Sequence, residues 1–269
     1  MGWSFERVAG PFEGPAAGLA WDGSAMLFSI LSPGARAGEG RILRFDPKTR
    51  QAGVFRVFTN RTSALAFAPD GALYGCQELS RRIVRFNPDG STSRTASHLD
   101  GKLHNLPASL AIDTRGRIWF GDCHTELRTS GPQIYTFLDH ASVLLLQKDS
   151  SGWVLKRMTF DTSSPRAVAL SRDERTLYVG EGRELRAYPV QDDALGPCKV
   201  LSHFEHPIRS LSVDRTGNVL ACSGKAIHVF SASGAVQDSH LFPGEPTACG
   251  FGDALYVTTV AGELWKIRE

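Results

Sequence analysis

The sequence predicts an all-β protein, a six-bladed β-propeller with four-stranded blades, and three observations lead to this fold. A strand–turn–strand unit occurs six times along the 269 residues. The units follow one another at about 40 to 60 residues, which is a repeat length typical of propeller blades. The last unit is one strand short, and a segment near the N-terminus can complete it.

Each unit has an apolar strand of small residues, a polar turn that usually contains Asp or Gly, and a second apolar strand. Apolar runs separated by such turns are typical of antiparallel hairpins. The six copies are, in chain order, AGLAWDGSAMLFSI, SALAFAPDGALYGCQ, ASLAIDTRGRIWFGD, RAVALSRDERTLYVGE, RSLSVDRTGNVLACS and TACGFGDALYVTT. In most units a third strand with alternating charge follows, as in RILRFDP, RIVRFNPDG and RELRAYPV.

The two ends of the chain are expected to meet in the last blade. The final unit ends with ELWKIRE and lacks a fourth strand, which the N-terminal segment SFERVAG can supply. Because an incomplete blade would leave an open sheet edge, we expect this N-terminal strand to pair there and close the ring. No linker separates the repeats, so residues 1–269 are expected to form a single domain.

The composition argues against several classes of partner. The chain has 30 basic and 28 acidic residues, a balance that favours neither nucleic acid nor an acidic membrane as partner. No apolar run is long enough to cross a bilayer, and the N-terminal MGWSFERVAGPF carries charges where a secretory signal is apolar. The five cysteines are scattered without a CxxC pair, so neither a disulfide framework nor a zinc site is indicated. We expect a soluble, cytoplasmic protein, and the sequence leaves its oligomeric state open.

Five aspartates recur at one place in the hairpins and are predicted to be structural. Asp at this position of a turn accepts hydrogen bonds from the backbone that follows it. The five residues are Asp22, Asp70, Asp113, Asp173 and Asp214.

Propeller topology determines which distant residues can share a site. The inner strand of each blade begins at one face of the ring, and the chain returns to that face after the second and fourth strands, so these points form one mouth. The six starts of the inner strands are Ala17, Ser63, Ala108, Arg166, Arg209 and Thr247. The ends of second strands and the blade connections add Gln77, Glu78, His104, Asn105, Asp122, Cys123, His124, Glu181, His206 and Ser223. The insertion HTELRTSGPQIYTFLDHAS in the third blade is long enough to fold over this mouth as a lid.

The repeats resemble the gluconolactonase family, which includes regucalcin (senescence marker protein) and is related to diisopropylfluorophosphatase. FEGPAAGLAWDGSAMLFSI, GRILRFDP, NLPASLAIDTRGRIWFGD and SRDERTLYVGE carry the likeness, which covers nearly the whole chain. The resemblance implies a six-bladed propeller with one divalent cation, usually calcium or zinc, at the mouth of the channel. It also implies hydrolysis of sugar lactones or related esters.

This sequence departs from the metal ligands that the resemblance implies. The family's Glu falls on Ala17, its Asn–Asp pair on Ala108 and Ser109, and later ligands on Arg166 and Arg209. Calcium takes about six to eight oxygen ligands, and two guanidinium groups would repel a dication. We therefore expect no metal at the usual place and no other cofactor.

Two interpretations of Arg166 and Arg209 remain open. Both arginines can be structural, paired with Glu181, Glu205, Asp161 or Asp214. Alternatively, two guanidinium groups from neighbouring blades can bind an anion, because their planar donors match a carboxylate or phosphate. We favour the anion site, with Ser63, Glu78, His104, Asn105 and His206 as further substrate-binding residues.

The candidates for proton transfer lie on the same face. His104, His206 and Glu78 are possible, and we favour His124 with Asp122 or Glu181 as its orienting or catalytic neighbour. Each of these histidines can instead be a loop residue satisfied by the backbone, and Asp122 and Glu181 can serve only to orient their neighbours. Cys123 adjoins His124, but neighbours on an extended strand point to opposite faces, and no GxSxG or P-loop motif is present.

The sequence thus leads to three hypotheses of function. The first is a small-molecule enzyme that acts on an anionic, carboxylate-bearing metabolite without the family's metal, by lactone or ester hydrolysis or by a proton-transfer isomerisation, cyclisation or lyase step. The second is a metal-dependent lactonase with a calcium or zinc site shifted to Glu13, Asn105, Asp122 or Glu181. The third is a non-catalytic propeller that binds a ligand or a protein.

Overall fold

Six antiparallel sheets form the blades of a closed ring, as the repeats predict. The computed structural model describes residues 2–31, 40–125 and 136–268. Every regular secondary-structure element in these residues is a β-strand. The inner strands of neighbouring blades adjoin one another around the ring, and the sixth adjoins the first.

The first half of the chain contains an N-terminal strand and then the strands of the first three blades, numbered in chain order. The first strand is β1 (Ser4–Ala9). The first blade contains β2 (Ala16–Trp21), β3 (Met26–Ile30), β4 (Arg41–Asp46) and β5 (Gln51–Val57). The second blade contains β6 (Thr62–Phe67), β7 (Leu73–Gln77), β8 (Arg82–Phe86) and β9 (Thr92–Arg94), and a ribbon of β10 (His98–Leu99) and β11 (Lys102–Leu103) follows. The third blade contains β12 (Leu106–Ile112), β13 (Ile118–Cys123), β14 (Ser142–Asp149) and β15 (Gly152–Arg157).

The remaining three blades complete the ring. The fourth contains β16 (Pro165–Leu170), β17 (Thr176–Glu181), β18 (Glu184–Gln191), β19 (Ala194–Leu195) and β20 (Lys199–His203). The fifth contains β21 (Ile208–Val213), β22 (Val219–Ser223), β23 (Ala226–Phe230) and β24 (Val236–Leu241). The sixth contains β25 (Pro246–Phe251), β26 (Leu255–Thr259) and β27 (Leu264–Arg268).

The predicted closure of the ring by the N-terminal strand is confirmed. Strand β1 pairs antiparallel with β27, with Phe5 opposite Ile267, and becomes the outer strand of the sixth blade. The fourth blade departs from the predicted four strands, because both β19 and β20 pair with β18. In the other blades, the described residues form four strands each.

The apolar core lies between adjoining blades. The interface between the third and fourth blades contains Trp119 and Leu177, both fully buried. Near the mouth these two blades come so close that a Cβ on Gly121 would lie 1.7 Å from the carbonyl oxygen of Pro165. Only glycine fits there, and the close approach brings the end of β13 beside Arg166.

The turn aspartates have the structural role predicted for them. Each of the five accepts a hydrogen bond from a backbone N–H two or three residues further on, at 2.7–3.2 Å. Asp113, for example, accepts from Arg115 N at 3.0 Å and from Arg117 N at 2.9 Å. These carboxylates therefore stabilise the hairpins at the face opposite the mouth.

Two sequence-based expectations concern other parts of the chain. Most of the insertion predicted to form a lid, residues 126–135, lies outside the described residues. Among the residues described, none belongs to a helix long and apolar enough to span a bilayer.

Candidate functional site

The inner strand of every blade contains a β-bulge at the same position. The register between the first and second strands shifts once in each blade, which leaves one inner-strand residue without an opposite partner. A bulge bends the strand and re-aims the side chain that it carries. The six bulged residues, which we call the bulge ring, are Gly18, Ser63, Ala108, Arg166, Arg209 and Thr247.

Five members of the bulge ring are residues predicted to begin the inner strands, and the first blade differs by one position. There the register shifts between Ala17 and Leu19, so the bulged residue is Gly18 rather than Ala17. Gly18 has φ of +52°, and a Cβ on it would lie 3.0 Å from the Cα of Ala64 in the next blade. The first blade therefore contributes backbone alone to the ring.

The bulge ring lines the central channel and its mouth. A cavity of about 110 Å³ in the channel is bordered by Gly18, Ser63, Ala108, Arg209 and Thr247, among others. A cavity of about 360 Å³, which we call the arginine cavity, is lined by Arg166, Arg209, His206, Pro207, Gly224 and Glu245. Because Arg209 lines both spaces, they meet at its side chain.

The two arginines of this cavity differ in their partners. Arg209 forms an ion pair through Nη2 with Glu245, and the two side chains are 43% and 39% exposed. Arg166 is exposed, and no carboxylate in residues 2–31, 40–125 or 136–268 forms an ion pair with its guanidinium. Within the described ranges, Arg209 thus has a carboxylate partner and Arg166 has none.

Among the described residues, none of the four carboxylates considered as structural partners from the sequence forms an ion pair with Arg166 or Arg209. Asp161 accepts a hydrogen bond from the Tyr188 hydroxyl at 3.1 Å, and Asp214 stabilises its own turn. Among the described residues, Glu205 forms no ion pair with either arginine. Glu181, the fourth, binds the chain just before Arg166 rather than its guanidinium.

His206 is the histidine that shares the arginine cavity. It lies in the connection between the fourth and fifth blades, and its ring lies over Gly224, where a Cβ would come within 2.5 Å of Cδ2. Ser223 Oγ donates to the His206 carbonyl at 2.8 Å and so holds this connection. His124, the histidine favoured from the sequence, is exposed at the end of β13 and does not line the cavity.

Asp122 and Glu181 bind the backbone of the blade connections. Glu181 Oε1 accepts hydrogen bonds from Ser163 N at 2.8 Å, Ser164 N at 2.7 Å and Ser163 Oγ at 2.8 Å. Asp122 Oδ2 accepts one from Asn105 N at 2.8 Å. Both side chains are buried, at 0% and 5% exposure. Each carboxylate therefore holds the loop that enters its blade's inner strand, and a part for either in proton transfer stays a prediction.

His104 and Asn105 form a buried polar cluster with Asp122 in the third blade. His104 is fully buried, with Nδ1 lying 3.3 Å from Asp122 Oδ1. Arg81 Nη1 donates to the Asn105 carbonyl at 3.1 Å, and its guanidinium lies 4.0 Å from the centre of the Phe137 ring. This cluster is outside the arginine cavity, so the predicted substrate-binding residues do not all meet in one cavity.

The second blade and Cys123 complete the set of predicted residues. Glu78 Oε2 accepts from Arg61 Nε at 2.5 Å, which makes Glu78 part of an ion pair. Ser63 borders the channel, and its hydroxyl oxygen is buried. Burial raises the pKa of the Cys123 thiol to about 12, although Arg166 acts in the opposite direction. The thiol is therefore protonated at neutral pH and is a poor nucleophile.

The residues present do not fit a divalent cation at the bulge ring. The ring offers two hydroxyls, from Ser63 and Thr247, and two guanidinium groups, whereas calcium takes about six to eight oxygens. In the part of the chain that the structure describes, no three His, Cys, Asp or Glu side chains are grouped so that they could hold a metal ion. Glu13, considered for a shifted site, is exposed.

Glu245 is the cavity residue that the sequence analysis missed. It precedes Pro246 in the connection to the sixth blade, much as His206 precedes Pro207 in the connection to the fifth. A polar residue before the proline of a blade connection is the signal that could have identified it.

Fold and site together define a six-bladed propeller with two arginines in a cavity at its mouth. The sequence profile of the SMP-30/gluconolactonase/LRE-like region matches residues 35–261, most of the chain. The protein therefore belongs to this family and has the fold of its lactonase-like enzymes. No curated protein matches the chain by sequence.

Solved structures agree with this assignment. A gluconolactonase from Xanthomonas campestris is 26% identical, with a TM-score of 0.84 over 98% of this chain and 88% of that one. A luciferin-regenerating enzyme is 16% identical, with a TM-score of 0.77 over 100% and 96% of the two chains. A calcium-binding regucalcin from Agrobacterium tumefaciens is 15% identical, with a TM-score of 0.75 over 98% and 93%. The last two likenesses concern the fold alone.

Proposed function

We propose that the protein is a small-molecule enzyme that binds a carboxylate-bearing substrate in the arginine cavity. The observation that carries this proposal is the exposed Arg166 guanidinium, which has no ion-pair partner in residues 2–31, 40–125 or 136–268 and shares its cavity with Arg209. A structural arginine would be expected to have a carboxylate partner, because a cation held beside another cation is destabilised. A bound carboxylate would supply that partner through two parallel hydrogen bonds.

The reaction favoured by family membership is hydrolysis of a lactone or ester. Water attacks the carbonyl carbon, the acyl C–O bond breaks, and a proton passes from the water to the departing alkoxide. A lactone gives a hydroxy acid in this way, and an ester gives a carboxylic acid and an alcohol. Histidine is the most frequent proton carrier in enzymes, and His206 is the histidine that lines this cavity. Arg166 and Arg209 can hold the substrate carboxylate or stabilise the oxyanion as it forms. A proton-transfer isomerisation or lyase step would use the same groups.

Calorimetric titration of the purified protein with D-gluconate and acetate tests the anion site. We expect Arg166→Gln to weaken binding by about 10- to 100-fold, the loss typical of a charge-assisted, bidentate contact. Arg172→Gln is the matched control, because Arg172 is an exposed arginine at the opposite end of the same blade. The proposal is overturned if no carboxylate binds, whether its tail is polar or apolar, or if Arg166→Gln leaves the affinities unchanged.

Two further measurements separate the rival functions. Dialysis against a chelator should change neither carboxylate affinity nor lactone turnover. A loss of both, restored by calcium or zinc, would favour a shifted metal site. Carboxylate binding without turnover of any lactone or ester in a broad panel would instead identify a binding propeller.

A further inference from the structure

A larger cavity opens beside the arginine cavity, and much of its lining is apolar. It has a volume of about 740 Å³ and lies between the connection that follows β20 and the strands β23 and β24 of the fifth blade. Its apolar lining consists of Phe204, Ala226, Phe230, Val236 and Leu241. We call this space the apolar groove.

The apolar groove and the arginine cavity adjoin each other. They share His206, Gly224 and Glu245 as lining residues. Gly224 lies in the turn between β22 and β23 with φ of +56°, and the His206 ring occupies the space that a side chain there would need. A ligand whose charged end lies at Arg166 and Arg209 can therefore extend past His206 into the groove.

The groove has apolar surface at both its floor and its edge, although Glu205 and Lys225 also line it. The Phe204 ring lies 5.6 Å from the Phe230 ring and 5.2 Å from the His228 ring, measured between centroids. Burial lowers the pKa of His228, so its imidazole is neutral at pH 7. At the edge, Val236 and Leu241 are 65% and 77% exposed, which is unusual for two large apolar side chains beside one cavity.

We infer that the substrate of the arginine cavity carries an apolar extension, an aryl or alkyl group, that occupies the apolar groove while its carboxylate binds Arg166 and Arg209. This inference rests on the proposed function and adds a substrate class to it. The groove volume falls within the range of small-molecule sites, about 300 to 1,000 Å³. The polyol chain of a sugar acid would lose water against Phe204, Val236 and Leu241 without gaining hydrogen bonds from them.

Calorimetry with two carboxylates of similar length tests the extension. 4-Phenylbutanoate has an apolar tail and D-gluconate has a polar one, and we expect the first to bind at least about tenfold more tightly. The double variant Val236→Gln/Leu241→Gln should weaken 4-phenylbutanoate about five- to tenfold and leave gluconate unchanged. Both positions are mostly exposed, so the fold should tolerate the change. The matched control is Val54→Gln/Val57→Gln, at exposed positions on β5 of the first blade.

Each outcome distinguishes the apolar extension from the anion site itself. Equal affinities for the two carboxylates, both weakened by Arg166→Gln, would overturn the apolar extension and leave the anion site in place. If neither carboxylate binds, the proposed function fails and this inference fails with it. If the neutral 4-phenylbutan-1-ol binds as tightly as 4-phenylbutanoate, the groove acts independently of the arginines, and a substrate that spans both cavities is refuted.

Discussion

Replacement of Glu181 tests whether this carboxylate holds a loop or performs chemistry. Three donors converge on its Oε1: the amides of Ser163 and Ser164 and the hydroxyl of Ser163. These serines lie immediately before Pro165 and Arg166, and Arg166 N donates to the Ser164 carbonyl at 2.9 Å. The carboxylate therefore fixes the loop that presents the Arg166 guanidinium to the arginine cavity.

The expected cost follows from these contacts. A hydrogen bond to a charged group contributes about 1.5–3 kcal/mol, and the three bonds share one acceptor, so they are not additive. Because Glu181 is only 5% exposed, Glu181→Ala should destabilise the protein by about 3–5 kcal/mol. Glu181→Gln keeps an acceptor oxygen and should cost about 1–2 kcal/mol. At about 2–4 °C per kcal/mol for a chain of this size, these values correspond to Tm decreases of roughly 6–20 °C and 2–8 °C.

Scanning calorimetry combined with D-gluconate titration measures both consequences. We expect affinity and Tm to fall together in both variants, because the Arg166 loop loosens in each. Glu174→Gln is the control: Glu174 accepts hydrogen bonds from Thr114 N and Oγ1 at the opposite face, in exposed surroundings. This variant should lower the free energy of unfolding by less than about 1 kcal/mol, which corresponds to less than about 4 °C in Tm. A Glu181→Gln protein with unchanged Tm and gluconate affinity but no turnover would show that Glu181 is catalytic and that the anchoring explanation is wrong.

Two further predictions concern the cavity and the thiols. Glu245→Gln should strengthen carboxylate binding about three- to tenfold, because it removes a competing anion from Arg209; calorimetry that shows weaker binding would instead make Glu245 part of the substrate site. Burial raises the pKa of the Cys76 and Cys123 thiols, and contact with Cys249 together with burial raises that of Cys222. Ellman's reagent at pH 8 should therefore titrate at most one thiol in the native protein, the partly exposed Cys198, and all five after unfolding; rapid native reaction of two or more would contradict this.

The fold could be predicted from the sequence because a propeller repeats a local pattern. Each strand–turn–strand unit places its apolar residues and its turn Asp by short-range rules, so six copies indicate six blades. The pairing of β1 with β27 followed from the missing strand and the need to cover an edge. The additional strand β19 was not predicted, because its two residues Ala194 and Leu195 carry no strand pattern of their own.

The site was predictable only as far as topology determines it. Topology brings Arg166 and Arg209 to one mouth although they are far apart in the chain, and the structure places both in one cavity. It does not determine side-chain partners, so the ion pair of Arg209 with Glu245 across two blades could not be anticipated. Position at a strand end likewise did not indicate which histidine lines the arginine cavity. His206 does and His124 does not, because the connection that carries His206 folds back over Gly224.

The bulge ring indicates how the side chains that line the mouth can vary without a change of fold. The bulge is a property of the backbone, and it aims whichever side chain it carries at the channel. The stability of the ring comes from the apolar surfaces between blades, which the bulged residues do not form. We therefore expect substitution at these positions to change the chemistry of the mouth much more than the scaffold. Here two neighbouring blades both carry guanidinium groups, and their mutual repulsion is offset at Arg209 by Glu245. No such side-chain partner serves Arg166 among the described residues, and this is the reason for proposing that a bound anion completes the charge of the site.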